Sequence, residues 1–176
     1  QRQMCIRDRV SASEESAARL VKGFDSVSVC LSKGLGAPVG SVLVGSQSFI
    51  ERAHRWRKLF GGGMRQSGIL AAAGLYALDH NLARLREDHR RARRLAQGLA
   101  EIPGLSVDHE AVQTNMVYLR TEVPAKQWVD RLAEPGVACF ALGDRQIRLV
   151  THLQIDDEQI EESIMVFRNI SSTFGE

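Results

Sequence analysis

One lysine stands where amine chemistry would be practical. Lys33 follows an apolar, strand-like segment and opens a turn rich in glycine and proline, KGLGAP. A lysine held there partly out of water has its pKa lowered by desolvation, so its amine becomes a nucleophile or Schiff-base former. Gly34 and Gly36 lack a Cβ and would let a bulky ligand approach the backbone. From spacing alone, a solvated turn lysine remains the favoured interpretation.

An arginine in a strand-like segment is the second candidate. Arg148 lies between Ile147 and Leu149 in QIRLVTHL, where it either faces solvent or offers a planar fork to a carboxylate. The pattern alone favours solvent. His152 shares the face of Arg148 by the period of two and could assist. A lone histidine at a strand end is more often structural.

Two further cations bracket a glycine run. Lys58 and Arg65 lie on either side of Gly61-Gly62-Gly63, and basic residues beside a flexible loop can clamp a phosphate. An exposed basic helix end, favoured by the helix dipole, explains them equally well. The sequence has neither a Walker lysine nor a GxGxxG between strand and helix, so a nucleotide-binding fold is not predicted.

Charge patterning gives no support to nucleic-acid or metal binding. The net charge is only +2, and the arginine-rich segment 84–94 is interrupted by Glu87 and Asp88 without interleaved aromatic residues for base stacking. A solvated helix face or a subunit contact is therefore preferred. The histidines lack metal-ligand spacing: His54, His80, His89 and His109.

The composition is that of an ordinary globular chain. Its 176 residues, 44% hydrophobic and 25% charged, suffice for one domain or two small ones. The longest apolar run, near 69–78, is too short to span a bilayer, so no membrane partner is predicted. Three cysteines (Cys5, Cys30 and Cys139) without metal spacing predict neither a disulfide scaffold nor a zinc finger, and favour a reducing, cytoplasmic setting.

The elements that must position these side chains can be predicted from periodicity. Residues 1–11 match neither a signal peptide nor the rest of the chain, and we expect them to be a non-native leader. The predicted elements are a helix over 12–22, strands over 25–32 and 39–44, a helix over 47–59, one long helix from 67 to 102, strands over 114–120, 137–142 and 146–153, a helix near 124–134, and a final helix starting at 156. The order of the later elements predicts a small α+β domain with helices on one face of a sheet.

Taken together, the segments resemble a known family. The segment 24–45, FDSVSVCLSKGLGAPVGSVLVG, resembles the pyridoxal-phosphate lysine segment of the low-specificity L-threonine aldolases. The segment 55–74, RWRKLFGGGMRQSGILAAAG, resembles the one that follows it at matching spacing. Thr114-Asn-Met and the IRLVTH of 147–152 resemble that family's C-terminal domain. The resemblance extends from about residue 12 to the end.

The resemblance implies an α/β fold of the aspartate-aminotransferase type (fold type I), with 12–80 in the large cofactor-binding domain and 81–176 as a linking helix and small domain. Lys33 would form the Schiff base with pyridoxal phosphate, and Arg148 would bind the α-carboxylate of the amino-acid substrate. Lys58 and Arg65 would lie near the cofactor, reaching a neighbouring subunit's site in a homotetramer. The implied reaction is cleavage of L-threonine or L-allo-threonine to glycine and acetaldehyde.

The resemblance also implies something missing. The family carries, before the lysine, a phosphate-binding loop, a histidine stacked on the ring and an aspartate for the pyridine nitrogen, whereas only 32 residues precede Lys33. We therefore expect a C-terminal fragment that is inactive or nearly so by itself. Two alternatives stay open: β-elimination or a related chemistry on the same fold, and a non-catalytic binding or oligomerisation module that uses the arginine-rich helix.

Overall fold

The computed structural model describes residues 6–13 and 15–174 and divides the chain into two units, 1–85 and 86–176. The first unit holds α1 Ile6–Ala12, α2 Ala17–Leu20, β1 Ser26–Cys30, β2 Ser41–Gly45, α3 Gln47–Leu59 and α4 Gly68–Asn81. The second holds nearly all of α5 Leu85–Ala100, then β3 Leu105–Val107, β4 Met116–Thr121, α6 Ala125–Ala133, β5 Phe140–Ala141, β6 Gln146–Val150 and α7 Asp157–Ser172. The assignment of 12–80 and 81–176 to family domains stays a prediction.

The first part of the chain differs from the predicted helix over 12–22. Among the described residues of that range, only Ala12, which ends α1, and the single turn α2 are helical, because the Ser16 hydroxyl accepts a hydrogen bond from the Arg19 backbone N–H and starts a new helix at that point. Gly23, at φ +91°, ends the segment as expected. Residues 6–12, set aside above as part of a leader, form α1, in which Asp8 is buried. The leader assignment stays a prediction.

The two predicted strands of the first unit are confirmed and pair with each other. β1 and β2 are antiparallel, with Cys30 opposite Ser41 and Ser26 opposite Gly45. The segment between them folds back on itself, since Ala37 N–H donates to the Leu31 carbonyl at 3.1 Å and Leu31 N–H to the Gly40 carbonyl at 2.9 Å. This internal bonding makes the loop after β1 a defined turn.

Few of the described residues of the first unit are buried. Its core consists of Leu35, Ala37, Ala77 and Leu85, with Leu31 partly buried against it. Helix α3 has the predicted bounds and an N-cap at Ser46, but none of its residues is fully buried. The apolar side chains left exposed in this unit include Val39, Val42, Leu43, Val44, Trp56, Leu59, Phe60, Met64, Ile69, Leu75 and Tyr76. We call this set the exposed apolar surface.

The prediction of one long helix from 67 to 102 is wrong. Helix α4 ends at Asn81, and α5 begins at Leu85 after a short turn in which Leu85 N–H donates to the Leu82 carbonyl. The apolar period continues across the break, so it could not reveal it. What changes at the break is the partner: Leu85 packs in the core of the first unit, whereas Ala92 belongs to that of the second.

The second unit is the predicted α+β arrangement around a four-stranded antiparallel sheet in the order β3-β4-β6-β5. The short edge strand β3, paired with β4, was not predicted. Alternate sheet residues point into one core with the helices, which accounts for the burial of Val117, Leu119, Ile147 and Leu149. The opposite face of the central strands is left for other contacts.

Close packing fixes the helices against that sheet. Trp128 on α6 stacks on Phe167 of α7 with ring centroids 5.6 Å apart, and both are essentially fully buried. Helix α7 starts as predicted, because Asp156 and Gln159 form a reciprocal capping box. Helix α5 meets α7 at Gly98, where a Cβ would come within 2.5 Å of Ile164 Cδ1. The sheet that carries Arg148 is thus well supported.

Candidate active-site residues

Lys33 occupies the turn after β1, held by its neighbours. Gly36 N–H donates to the Lys33 carbonyl at 2.7 Å, and Leu35 is fully buried beneath the turn. The Lys33 side chain is exposed, as the favoured solvated-lysine interpretation predicts, and the alternative in which it is held partly out of water is not what the structure shows. Within the described residues its amine makes no ion pair. The Lys33 amine is therefore accessible and available to a ligand.

The glycines after Lys33 serve the turn itself. Gly36 adopts φ +69°, a conformation that favours glycine. A Cβ on Gly34 would approach Leu85 Cδ2 to 3.0 Å, so the missing side chain admits a residue of the protein's own core. The expectation that these glycines admit a ligand finds no support here. They allow the backbone turn that presents Lys33, and the Gly36–Lys33 hydrogen bond defines that turn.

Lys58 and Arg65 lie at the two ends of the glycine loop between α3 and α4. Lys58 is in the last turn of α3, and both side chains are exposed. Gly61 has φ +82°, and a Cβ on Gly62 would come within 2.8 Å of Arg57 Cγ, so this tight turn depends on glycine. The structure brings the two cations to one loop with neither in an ion pair among the described residues. A phosphate-sized anion is a chemically suitable ligand for such a pair.

Arg148 lies on β6, on the sheet face opposite the core. Its Nε is buried and lacks a hydrogen-bond partner. Among the described residues the side chain has no carboxylate within ion-pair distance, although a guanidinium N–H kept from water without a partner is costly. Arg148 as a whole is half-buried, so it is the Nε in particular that is kept from water. An anionic ligand would supply what is missing.

Arg148 is flanked by aromatic residues on both neighbouring strands. Tyr118 of β4 and Phe140 of β5 are its direct register partners. The Arg148 guanidinium carbon lies 5.7 Å from the centroid of the Phe140 ring. The sequence analysis assigned no role to Phe140, since the pairing of β5 with β6 is a tertiary property.

His152 does not continue the strand. β6 ends at Val150, so the period-two argument that paired His152 with Arg148 does not reach it. His152 is exposed and its Nδ1 accepts from the Gln154 backbone N–H at 3.3 Å, consistent with the structural alternative. Thr151, which the sequence analysis passed over, is buried, and its hydroxyl donates to the Asp88 carbonyl at 2.7 Å. It anchors the end of β6 to α5.

The arginine-rich helix is largely neutralised by its neighbours. Arg90 and Arg91 both contact the Asp157 carboxylate, at 2.8 and 2.7 Å, and Arg94 pairs with Glu161. These pairs tie α5 to α7 and lower the pKa of Asp157, chiefly through its hydrogen bonds with the two arginines. Half of the arginines in this segment therefore have a structural function.

Two cysteines have contrasting environments. The hydrogen bond with Ser32 lowers the pKa of the Cys30 thiol, and the Lys33 charge adds slightly to this effect. Burial raises the pKa of the Cys139 thiol to about 11. Both cysteines are free, and Cys5 lies outside the described residues. Cys30 is thus the more reactive of the two.

The described part of the chain offers neither a metal-ligand cluster nor a membrane-spanning helix. Across residues 6–13 and 15–174, no group of three or more His, Cys, Asp or Glu side chains is placed to hold a metal ion. Over the same residues, none of the helices has the length and apolar character needed to cross a bilayer.

Structural comparison establishes the class of fold. The chain matches a solved structure from Listeria monocytogenes EGD-E, provisionally assigned as an L-allo-threonine aldolase, with a TM-score of 0.78 at 19% identity over 93% of this chain and 49% of that one. It also matches Sphingomonas wittichii serine palmitoyltransferase, with a TM-score of 0.64 over 86% of this chain. The predicted α/β fold of a fold type I enzyme is confirmed.

Sequence comparison narrows this class to a family. Residues 6–122 match the family model described as beta-eliminating lyase, and the chain belongs to that family. It is 46% identical over 162 residues to low-specificity L-threonine aldolase 1 of Arabidopsis thaliana, and 50% identical over 139 residues to the low-specificity L-threonine aldolase of Escherichia coli K12. These matches cover 90% and 78% of this chain but 45% and 40% of the relatives. The resemblance to L-threonine aldolases is confirmed, and the chain spans less than half the length of these relatives.

Proposed function

We propose that the protein carrying this chain cleaves L-threonine or L-allo-threonine to glycine and acetaldehyde with pyridoxal phosphate as its cofactor. The observation that carries the proposal is the buried Arg148 Nε, which lacks a hydrogen-bond partner. The names of the chain's relatives, such as low-specificity L-threonine aldolase 1, specify an amino-acid substrate. An amino acid's α-carboxylate matches the planar donor fork of arginine.

The residues present fit the cofactor. Lys33 offers an accessible amine without an ion-pair partner among the described residues, at a hydrogen-bonded turn, and would hold the cofactor's aldehyde carbon. Lys58 and Arg65, both exposed cations on one glycine loop, would contact its phosphate. Bound pyridoxal phosphate withdraws electrons from the substrate's Cα, and so weakens the bonds to that carbon.

Arg148 then decides which bond breaks. By fixing the carboxylate at both oxygens it removes one rotational freedom of the amino acid and presents a chosen Cα bond for cleavage. When the β-hydroxyl loses its proton and the Cα–Cβ bond breaks, the oxygen and Cβ leave as acetaldehyde. A proton added at Cα completes glycine.

We also propose a homo-oligomer, a tetramer by the family resemblance, in a reducing, cytoplasmic setting. The exposed apolar surface of the first unit is unfavourable in water, and a neighbouring subunit would cover part of it. The free thiols Cys30 and Cys139 are compatible with a reducing compartment. Size-exclusion chromatography with light scattering on the full-length gene product should give about four times the protomer mass, and a monomer would contradict the proposal.

The test of the reaction uses the full-length gene product loaded with pyridoxal phosphate. Acetaldehyde release from L-threonine should be lost in Lys33→Ala and retained in Lys22→Ala, an exposed lysine of the same unit. Borohydride reduction followed by peptide mass mapping should place the label on Lys33. A label on a different lysine, or full turnover by Lys33→Ala, would overturn the proposal.

A second reaction is favoured by the family model's own description. β-Elimination would release ammonia and a keto acid in place of glycine and an aldehyde, so product analysis in the same assay separates the two. The non-catalytic module gains nothing from the structure, because Arg90, Arg91 and Arg94 already pair with acids. It predicts salt-sensitive polyanion binding that survives Lys33→Ala.

A further inference from the structure

The cross-strand row formed by Tyr118, Arg148 and Phe140 runs over β4, β6 and β5. The neighbouring rows, Val117–Leu149 and Leu119–Ile147, are buried, so this row lies on the opposite face of the sheet. Directly opposed residues have Cβ atoms about 5 Å apart. The two aromatic residues therefore stand beside the arginine proposed above to bind the substrate's carboxylate.

Phe140 is poorly explained by packing. It is 66% exposed, lies outside the hydrophobic core of the second unit, and belongs to an edge strand of two residues. Its ring does have a partner, since the Arg148 guanidinium carbon is 5.7 Å from the ring centroid. A cation within about 6 Å of an aromatic face is attracted to it.

We infer that Phe140 is a positioning residue for the amino acid's carboxylate, acting through Arg148; this rests on the proposed function. An arginine side chain has several rotatable bonds, and ordering it when a ligand arrives weakens binding. A guanidinium drawn to a ring by a cation–π contact donates no hydrogen bond to that ring's carbon atoms, so its N–H groups stay available for a carboxylate. Phe140 thus holds Arg148 ready before the substrate binds.

Tyr118 differs from Phe140 despite its symmetric register. Its hydroxyl donates to the Met116 sulfur at 3.5 Å along its own strand, and its ring makes no cation–π contact with Arg148. Tyr118→Leu is therefore a matched control. It removes an aromatic side chain from the same row, where Tyr118 is 46% exposed, but leaves the contact between Arg148 and Phe140 in place.

The first experiment measures steady-state kinetics for L-threonine on the full-length gene product. A cation–π contact at an exposed site corresponds to about a two- to five-fold change in an equilibrium constant. Phe140→Leu should therefore raise KM about two- to five-fold with kcat nearly unchanged, Phe140→Trp should restore the wild-type KM, and Tyr118→Leu should leave both constants as they are. Equal KM for Phe140→Leu and wild type, or a fall in kcat at constant KM, would overturn the inference.

The second experiment detects the contact between Arg148 and Phe140 without any activity measurement. Phenylglyoxal attacks guanidinium groups, and peptide mapping gives the rate at Arg148, with the exposed Arg120 of the same protein as internal reference. Phe140→Leu should speed modification of Arg148 relative to Arg120, and Phe140→Trp should not. Identical rates in all variants would overturn the inference.

Arg148→Lys separates this inference from the proposed function. If Arg148→Lys leaves KM for L-threonine unchanged, the carboxylate role of Arg148 is wrong and the inference fails with it. If Arg148→Lys raises KM strongly but Phe140→Leu does not, the proposed function stands and only the role of Phe140 is refuted.

Discussion

Replacing Gly98 with alanine tests the close approach of α5 and α7 beside the four-stranded sheet. A Cβ at this position would lie 2.5 Å from Ile164 Cδ1, 2.9 Å from Cγ1 and 3.0 Å from Cγ2. The contact involves both branches of the isoleucine side chain, so one rotation cannot clear it. Both residues are buried, and relief requires the two helices to separate.

Two opposing effects set the size of the change. Alanine in place of glycine inside a helix gains about 1 kcal/mol of helix propensity. Overpacking a well-filled core costs about 1–3 kcal/mol, and contacts this short on rigid elements belong at the upper end. We expect a net loss of about 1–2 kcal/mol in the free energy of unfolding. For a domain of this size that lowers Tm by roughly 5–15 °C.

The assay is thermal unfolding followed by circular dichroism, combined with a double-mutant cycle. Ile164→Val removes only Cδ1, the nearest atom, and alone should cost about 0.5–1.5 kcal/mol. In the Gly98→Ala background it should cost less or even stabilise, which gives a favourable coupling energy. A neutral or stabilising Gly98→Ala, or strict additivity of the two changes, would refute the packing argument.

The remaining predictions concern ionisable groups and the isolated chain. At pH 8 about one-thousandth of the Cys139 thiol, with its pKa of about 11, is ionised, whereas a thiol at the ordinary pKa of 9.0 is about one-tenth ionised and Cys30 more so. Iodoacetamide should therefore modify Cys30 about 100-fold faster than Cys139, and peptide mapping measures both rates. The pKa of Asp157 is lowered in the folded state, so its ionised carboxylate stabilises the fold above the unfolded pKa of 3.8, and this stabilisation is lost as the pH falls through the folded pKa. Asp157→Asn should therefore weaken the dependence of the unfolding free energy on pH below 3.8, and an unchanged dependence would contradict this. The 176-residue chain with pyridoxal phosphate should release little or no acetaldehyde, since it spans 45% of a relative's length; robust turnover would contradict this.

Local sequence signals determined much of the fold. The apolar period and the glycines after Leu59 predict the helix over 47–59 to the residue, and Ser46 caps its start in the structure. The final helix was equally clear from Asp156 and the acids after it. Alternating apolar residues identified β1, β2, β4 and β6. These signals act within a few residues of the chain, so they can be read without knowing the fold.

Periodicity failed where the partner of a helix face changed. The apolar repeat runs through residues 82–84 without interruption, but Leu85 and Ala92 enter separate cores, and two helices result. The segment before α2 gave a similar error, since a competing cap at Ser16 shortened a predicted helix to one turn. Neither outcome follows from hydrophobic spacing.

The sequence by itself singled out Lys33, Lys58, Arg65 and Arg148, because their segments resemble a family's and their residue types suit aldehyde, phosphate and carboxylate ligands. Only the tertiary structure decided their surroundings. In that structure Lys33 is exposed, and Gly34 makes room for Leu85 of the core. Phe140 lies next to the Arg148 guanidinium. Burial and cross-strand contact depend on which distant segments pair, and that information is absent from residue spacing.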